Sequence, residues 1–186
     1  MDILLAHGYF LYDDPHELQV MKPYPPLGIL YISSYLKSKG FSVGIFDSTF
    51  SSIDEFAALV ARERPPVVGI YTNLMTKINV LKIIDLVKSK PELKHTKIIL
   101  GGPEVKNHAS NFLLYGADVI VFGEGELTML ELIKAIEANE PFQHINGIAF
   151  TDAQGMMVKT TERSLNKELD ELPVPNRKKI NMQLYL

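Results

Sequence analysis

The sequence predicts an α/β fold in which a parallel sheet carries helices on both of its faces. Short apolar runs rich in valine and isoleucine alternate strictly with amphipathic segments of helical period, five times in succession. Each apolar run ends at small or polar residues, which is typical of strands that reach the ligand-binding edge of a buried sheet. We therefore predict a doubly wound, Rossmann-like sheet with the flavodoxin-like strand order 2-1-3-4-5.

The elements follow from local signals in chain order. Strands are predicted at 2–6, 41–46, 67–71, 97–100 and 117–122, and helices at 26–39, 52–64, 78–89, 106–115 and 127–139. Pro26 suits the first turn of a helix, Gly40 ends that helix, and Pro65 stops the next one. Residues 9–25 are expected to form a long loop, a kind of segment that is often functional.

The pattern changes in the last quarter of the chain. Residues 145–150 and 156–159 predict a two-stranded hairpin. The last nine residues, 178–186, follow a proline-rich stretch and offer no clear partner surface. We therefore divide the chain into a domain at 1–140 and an appendage at 141–186, which we expect to lead into a further domain that is missing here.

Composition excludes several classes of function. Nineteen basic and 22 acidic residues give a formal net charge of −3, so no basic excess points to nucleic acid. No apolar run is long enough to span a bilayer, and the N-terminus lacks a signal-peptide pattern, so we expect a cytoplasmic protein without a membrane span. The absence of cysteine excludes disulfides, thiolate catalysis and cysteine-held clusters in this chain.

The small and polar residues that follow the strands form the candidate site. Because the carboxyl ends of parallel strands meet at one edge of a sheet, these residues are expected to lie together. The set comprises His7, Gly8, Asp47, Ser48, Thr72, Asn73, Leu74, Gly101, Gly102, Pro103, Gly123, Glu124, Gly125 and Glu126. The glycine pair Gly101-Gly102 would let a bulky ligand lie against the main chain.

Short stretches in a particular order along the chain carry a family resemblance. They are Pro-Pro-Leu-Gly-Ile-Leu-Tyr-Ile at 25–32, Phe-Asp at 46–47, Leu-Gly-Gly-Pro-Glu at 100–104, Tyr-Gly-Ala-Asp at 115–118, Gly-Glu-Gly-Glu-Leu-Thr at 123–128, Asn-Gly-Ile at 146–148 and Leu-Asp-Glu-Leu-Pro-Val-Pro at 169–175. Together they resemble the N-terminal cobalamin-binding half of cobalamin-dependent radical S-adenosylmethionine enzymes. The resemblance covers nearly the whole chain and rests on order and spacing.

The resemblance implies that this chain holds cobalamin and contains no catalytic residue. The chemistry would belong to a missing C-terminal radical domain, its partner, with S-adenosylmethionine and a four-iron four-sulfur cluster. The parent would be a methyltransferase or an anaerobic porphyrin ring cyclase. The corrin would rest on the strand ends, with its nucleotide tail in a groove along the sheet. The implied cofactor-binding residues are Pro26, Leu27, Gly28, Asp47, Thr72, Asn73, Leu74, Gly101, Gly102, Pro103, Glu104, Gly123, Glu124, Gly125 and Glu126.

Individual roles stay open within that set. Either Thr72 or Asn73 would make the polar contact with cobalamin that the resemblance implies after the third strand. Asp47 is suited to bind a ribose or tail hydroxyl, but it also fits the role of a turn residue. Glu124 and Glu126 would either contact tail hydroxyls or interact with the N-terminus of the fifth helix.

A cobalt-ligating histidine is a separate question. Cobalamin mutases and methionine synthases carry Asp-x-His-x-x-Gly after the first strand, and Asp14-Pro15-His16 supplies the first part of that motif. Gln19 stands in place of the glycine, and the radical family generally lacks this ligand. We therefore predict no metal ligand in this chain and keep His16 as the alternative.

Other functions remain as alternatives. Gly123-x-Gly125 suggests a flavodoxin-type nucleotide- or flavin-binding domain, but the run lacks a third glycine and does not follow the first strand. A family member that has lost cobalamin would keep the same fold. A receiver domain would need an acidic pair after the first strand and an aspartate after the third, and the chain has neither at those places.

Overall fold

A mixed sheet runs through the chain in a computed structural model that describes residues 1–13, 15–20 and 22–186. Its strands stand in the order β2-β1-β3-β4-β5-β6-β7. They are β1 Ile3–His7, β2 Val43–Phe46, β3 Val67–Tyr71, β4 Lys97–Gly101, β5 Val119–Val121, β6 Ile148–Thr151 and β7 Met157–Lys159. The strands β1 to β5 are parallel, whereas β6 and β7 form an antiparallel hairpin beside β5. The predicted strand order and the hairpin are both confirmed.

Helices cover both faces of the sheet, as predicted for a doubly wound fold. In the described part of the chain they are α1 Pro15–Val20, α2 Leu27–Ser38, α3 Ile53–Glu63, α4 Lys77–Lys88, α5 Val105–Tyr115 and α6 Glu126–Ala138. The helices α2 and α6 pack on the face that carries Ile3 and Leu5, while α3, α4 and α5 pack on the face that carries Leu4 and Ala6. The domain boundary at residue 140 falls just after α6 and stays a prediction.

The register of the parallel strands brings three residues into one row across the carboxyl edge. His7 ends β1 and pairs with Tyr71 at the end of β3, and Tyr71 pairs in turn with Gly101 at the end of β4. All three positions point to the face of α2 and α6, because they continue the alternation of Leu5 and Gly69. The row therefore borders the space that those two helices leave open.

The long loop predicted at 9–25 is wrong in part. The structure forms a 3₁₀ turn at Leu11–Asp13 and the short helix α1 at Pro15–Val20. Pro15 occupies the first helical position, for which its ring is preorganised, and Glu17 lies in the first turn. Because α1 buries none of its residues, it leaves no apolar period in the sequence by which it could be found.

The C-terminal segment packs against the rest of the chain, so the expectation that the last nine residues lack a partner surface is wrong. Ile180 is buried, and the Lys179 ammonium donates to the Val43 carbonyl at 3.1 Å. Short 3₁₀ turns at Arg177–Lys179 and Met182–Tyr185 shape this stretch, and an asparagine side chain caps each of them. Isolated contacts of this kind have no periodicity, which is why the sequence pattern does not reveal them.

No helix within the described ranges is long and apolar enough to cross a bilayer. The longest helix in that part of the chain, α6, has 13 residues, and about 20 are needed to span the hydrocarbon core.

Candidate functional site

Two neighbouring cavities formed by the described residues open at the carboxyl edge, beside α2. The large cavity has a volume of about 610 Å³, and a smaller slot between α2 and α6 has about 250 Å³. The large cavity is lined by His7, Tyr9, Glu17, Lys22, Pro23, Tyr24, Pro25, Pro26, Leu27, Gly28, Ile29, Thr49, Tyr71, Asn73, Met75 and Thr76. The slot is lined by Leu5, Gly28, Ile29, Ile32, Gly69, Ile70, Tyr71, Ile99, Gly101, Gly102, Val121, Gly123, Glu124, Gly125, Glu126 and Met129. Because Gly28, Ile29 and Tyr71 border both, the two spaces adjoin.

The slot is mainly apolar and lies directly on the sheet. Its lining includes Leu5, Gly69 and Ile99 from three neighbouring strands, with Ile32 from α2 and Met129 from α6. Leu5, Ile99 and Met129 are buried in packed elements, so the slot is preformed. A lining of this kind suits a flat, apolar ring system.

Glycines keep the slot open. A Cβ atom added at Gly28 or Gly123 would meet no atom within 4 Å. One added at Gly101 would meet only the Val121 carbonyl oxygen, at 4.0 Å. Any side chain at these positions would therefore occupy space that the slot now offers to a ligand.

Gly102 serves a different purpose from its neighbour. Its φ is +104°, a conformation that side chains rarely adopt, and an added Cβ would lie 2.3 Å from the Thr72 carbonyl oxygen. Only glycine permits this turn so close to the end of β3. The predicted glycine pair thus divides its roles, since Gly101 leaves room for a ligand and Gly102 permits the close approach of the main chains.

The large cavity has a polar and aromatic lining that comes mostly from loops. The Tyr9 hydroxyl donates to Glu17 Oε2 at 2.7 Å, which ties the segment after β1 to α1. Asn73 and Thr76 bond reciprocally, since the side-chain oxygen of each accepts from the other's main-chain N–H, at 3.0 Å and 2.9 Å. Tyr71 stands between the large cavity and the slot and is 38% exposed. These groups offer hydrogen-bonding partners to a large polar ligand.

A partly buried hydrogen-bond network lies against the wall of the large cavity. We call it the His7 network, and it comprises His7, Asp47, Thr49 and Tyr185. His7 Nε2 lies 3.1 Å from Asp47 Oδ1, and the main-chain N–H of Tyr9 donates to His7 Nδ1 at 3.2 Å. The Tyr185 hydroxyl lies 2.8 Å and 2.7 Å from the two Asp47 carboxylate oxygens and 3.0 Å from Thr49 Oγ1.

The His7 network also sets the charge state of its members. Burial by itself raises the pKa of Asp47, but hydrogen bonds from His7, Tyr185 and Thr49 outweigh it and hold the pKa below its ordinary value. Burial raises the pKa of Tyr185 well above its ordinary value, and the Asp47 carboxylate raises it further. At neutral pH, Asp47 is therefore an anion and Tyr185 a neutral donor.

The structure brings most of the predicted residues to the two cavities. Those that line the large cavity are Pro26, Leu27, Gly28 and Asn73. Those that line the slot are Gly28, Gly101, Gly102, Gly123, Glu124, Gly125 and Glu126. Glu124 is also engaged within the chain, because its Oε2 accepts from the Asn166 N–H at 2.7 Å. Direct contact of these residues with a ligand stays a prediction.

The remaining predicted residues do not line either cavity. Asp47 is held in the His7 network, and Leu74 is 76% exposed beyond β3. Thr72 is fully buried, and strand alternation places it on the face opposite to Tyr71. Pro103 is also absent from both linings. Their contact with a ligand likewise stays a prediction.

Glu104 belongs to a separate ionic cluster. Its Oε1 lies 2.9 Å from the Lys77 ammonium and 3.3 Å from His108 Nε2. The buried carboxylate is therefore neutralised within the chain and does not line either cavity.

Several cavity residues were not selected by sequence reasoning. Tyr71 is the most prominent, and period-two alternation from Val67 and Gly69 is the signal that could have found it. Tyr9 and Glu17 belong to the segment predicted as an irregular loop, where no periodic signal exists.

His16 does not face the candidate site. It lies on the exposed surface of α1 and does not line either cavity, and Asp14 lies outside the described residues. Within the ranges that the structure describes, no group of three or more histidine, cysteine, aspartate or glutamate side chains could hold a metal ion. The role of His16 as a cobalt ligand stays an untested alternative.

Comparison with known proteins gives a consistent match. Residues 19–133 match the family model described as B12 binding domain. An uncharacterized methyltransferase of Pyrococcus horikoshii is 27% identical over 168 residues, which make up 87% of this chain and 35% of that protein. The anaerobic magnesium-protoporphyrin IX monomethyl ester cyclase of Rubrivivax gelatinosus is 26% identical over 163 residues, or 80% of this chain and 28% of the cyclase.

Solved structures share the fold. The cobalamin-dependent S-adenosylmethionine radical enzyme OxsB, with aqua-cobalamin and S-adenosylmethionine bound, gives a TM-score of 0.80 at 23% identity. The match covers 93% of this chain and 24% of OxsB. The radical S-adenosylmethionine methyltransferase TsrM from Kitasatospora setae gives a TM-score of 0.68 at 18% identity, over 86% of this chain and 30% of TsrM. The chain thus spans between 24% and 35% of these longer relatives.

Proposed function

The chain belongs to the B12 binding domain family, and from this premise we propose that it is the cobalamin-binding module of a longer radical S-adenosylmethionine enzyme. The family match covers residues 19–133, which include Tyr71 and Gly101 of the row of strand ends and the residues that line the slot apart from Leu5. A cobalamin module needs one space for a large corrin and an adjoining one for the nucleotide tail, and the two cavities offer that pair.

The observation that carries the proposal is the slot lined by glycines. Gly28, Gly101 and Gly123 leave room where any side chain would intrude, and the lining is mainly apolar. The benzimidazole of a cobalamin tail is flat and apolar, so it fits a lining of this chemistry. We assign the tail to the slot and the corrin to the large cavity at the carboxyl edge.

The residues of the large cavity would bind and orient the corrin. His7, Tyr9 and Glu17 shape the wall of this cavity, and Tyr71 and Asn73, in or next to the row of strand ends, offer a hydroxyl and an amide group. These groups can bond to the amide side chains at the corrin rim, which would fix the ring in one orientation. Bound cobalamin supplies a cobalt centre that can carry a methyl group.

The chemistry of the whole protein belongs to a partner domain in this proposal. The chain contains no cysteine, so a four-iron four-sulfur cluster and S-adenosylmethionine would be held by a C-terminal radical domain. A relative named as a methyltransferase and another named as an anaerobic ring cyclase support these two activities for the parent.

The first test is retention of hydroxocobalamin by the purified chain after desalting. We expect a visible corrin spectrum in the wild type and none in Gly101→Val, because the valine side chain fills the slot while its β-branched shape suits strand β4. Thr151→Val, at an exposed strand position of β6, is the matched control and should retain the corrin.

The same retention test also distinguishes the alternative, a nucleotide- or flavin-binding domain. A folded wild type that retains flavin mononucleotide and releases hydroxocobalamin would contradict the proposal. If the folded chain retains neither, the full-length parent decides between a site that needs the radical domain and a family member that has lost cobalamin.

A further inference from the structure

The His7 network links the C-terminal segment to the wall of the large cavity, and the proposed function does not use it. We propose that Asp47 and Tyr185 are positioning residues that hold His7 in one tautomer and thereby fix the segment after β1 as a wall of the large cavity. This inference rests on the proposed function, because that wall would face the corrin.

The hydrogen-bond donors fix the tautomer of His7. The main-chain N–H of Tyr9 can only donate, so His7 Nδ1 must be the unprotonated, accepting nitrogen. His7 Nε2 then carries the proton and donates to Asp47 Oδ1 at 3.1 Å. The imidazole has only 5% of its surface exposed, so water does not compete for these two bonds.

Asp47 is in turn held by the C-terminal segment. The Tyr185 hydroxyl lies within 2.8 Å of both carboxylate oxygens, and the Tyr185 ring packs edge-on against Phe50 with 4.9 Å between centroids. The Thr49 N–H also donates to Asp47 Oδ1, at 3.2 Å. Both Asp47 carboxylate oxygens therefore already accept hydrogen bonds from groups of the chain itself. This favours a positioning role for Asp47 over direct contact with a ribose or tail hydroxyl, which the sequence predicted.

The other end of the network reaches the cavity itself. His7, Tyr9 and Thr49 all line the large cavity, and the Tyr9 hydroxyl continues to Glu17 on α1. Hydrogen bonds thus join Tyr185 to Asp47, Asp47 to His7 and His7 to Tyr9, and Tyr9 links onward to Glu17 through its hydroxyl. Within the described residues, loss of the Tyr185 hydroxyl would leave Asp47 Oδ2 without a donor, so the carboxylate would turn away from His7 Nε2 and the wall would shift.

The test of positioning is the tautomer of His7, read from long-range proton–nitrogen correlation spectra of the ¹⁵N-labelled chain without cobalamin. His7→Gln identifies the His7 signals. We expect a protonated Nε2 and an unprotonated Nδ1 in the wild type, and mixed tautomers with a displaced Tyr9 amide signal in Tyr185→Phe. Tyr115→Phe, a half-exposed tyrosine at the end of α5, is the control and should show the wild-type pattern.

The second measurement is the dissociation constant for hydroxocobalamin. Loss of a partly buried hydrogen-bond donor in Tyr185→Phe should raise this dissociation constant about fivefold. Asp47→Ala provides a second route to the same result if Tyr185→Phe does not fold.

The two measurements fail separately. An unchanged His7 pattern in folded Tyr185→Phe overturns the inference, whatever the chain binds. Altered tautomers with unchanged cobalamin affinity overturn the positioning role. A wild type that binds no cobalamin in the full-length parent overturns the proposed function and with it the role assigned to the wall, while the tautomer result still decides the network itself.

Discussion

The slot and the large cavity lie side by side, but different kinds of structure build them. The slot lies among parallel strands and two packed helices, and glycines set its free space. The large cavity depends on loops and on hydrogen bonds between distant parts of the chain, such as Tyr185 and Asp47, 138 positions apart. A slot of packed elements selects a ligand by shape, whereas a wall held by long-range hydrogen bonds can respond to other segments of the protein.

The largest effect should come from Gly102, where the backbone at the edge of the slot has no freedom to adapt. We expect Gly102→Ala to lower the free energy of unfolding by about 3 kcal/mol, because the new Cβ combines left-handed strain with a collision against a main-chain oxygen. Gly155→Ala is the matched control, since φ is +81° there and an added Cβ meets nothing within 4 Å.

Urea denaturation followed by circular dichroism measures both variants. The control should lose only about 1 kcal/mol, the cost of the left-handed conformation alone. Equal losses in the two variants would show that the close approach of β3 and β4 does not constrain this edge.

The next-largest effect should distinguish the two cavities by the ligands that each one binds. Cobinamide has the corrin but lacks the nucleotide tail, so only the large cavity should recognise it. We expect Gly101→Val to weaken cobalamin binding by about 100-fold, or about 2.7 kcal/mol, and to leave cobinamide binding nearly unchanged. Tyr185→Phe should lower the affinity for both ligands by the same small factor.

Titrations monitored by corrin absorbance measure the affinities of the wild type and of both variants for the two ligands. If Gly101→Val lost the same affinity for cobinamide as for cobalamin, the assignment of the tail to the slot would be contradicted. Thr151→Val again serves as the control for a valine introduced into a strand.

The slot could be predicted in large part from the sequence, and the wall of the large cavity could not. Strand alternation and the glycines at strand ends are local signals, so Gly101 and Gly123 were identified correctly as residues of the sheet edge. The helix α1 buries no side chain, and Tyr185 lies in a segment without periodicity, so neither gives a local signal. Their positions depend on individual hydrogen bonds between parts of the chain that are distant in sequence.

Asp47 illustrates the same limit. Its place at the end of β2 follows from the strand pattern, and that much was predicted. Its partners, His7 and Tyr185, come from β1 and from the C-terminal segment, and only the folded chain brings them together. The alternative role as a turn residue is confirmed, since the Asp47 side chain accepts from the Thr49 N–H, but sequence reasoning missed its bonds to His7 and Tyr185.

The charge of Asp47 should make the wall of the large cavity sensitive to acid. The pKa of Asp47 is lower in the folded chain than its ordinary value of 3.8, so the unfolded chain binds the proton more tightly. The stability that the carboxylate contributes is complete above that value and is lost as the pH falls through the folded pKa. We expect the free energy of unfolding of the wild type to exceed that of Asp47→Asn by about 1 kcal/mol at pH 7. This difference should shrink below about pH 4.

Urea denaturation at a series of pH values measures this difference. Asp85→Asn, at an exposed position on α4, controls for the removal of one carboxylate. If the difference in free energy of unfolding between the wild type and Asp47→Asn stayed constant from pH 7 to pH 3, the role of the Asp47 anion in the His7 network would be contradicted.

The smallest effect should come from the far end of the hydrogen-bond series. Tyr9→Phe removes the 2.7 Å bond to Glu17 but keeps the main-chain N–H that fixes His7. Both side chains are partly exposed, so water replaces the lost bond, and we expect cobinamide affinity to fall only about twofold, with the His7 tautomer unchanged. A tenfold loss would show instead that the Tyr9 hydroxyl contacts the corrin directly, so this variant distinguishes a residue that shapes the wall from one that binds the ligand.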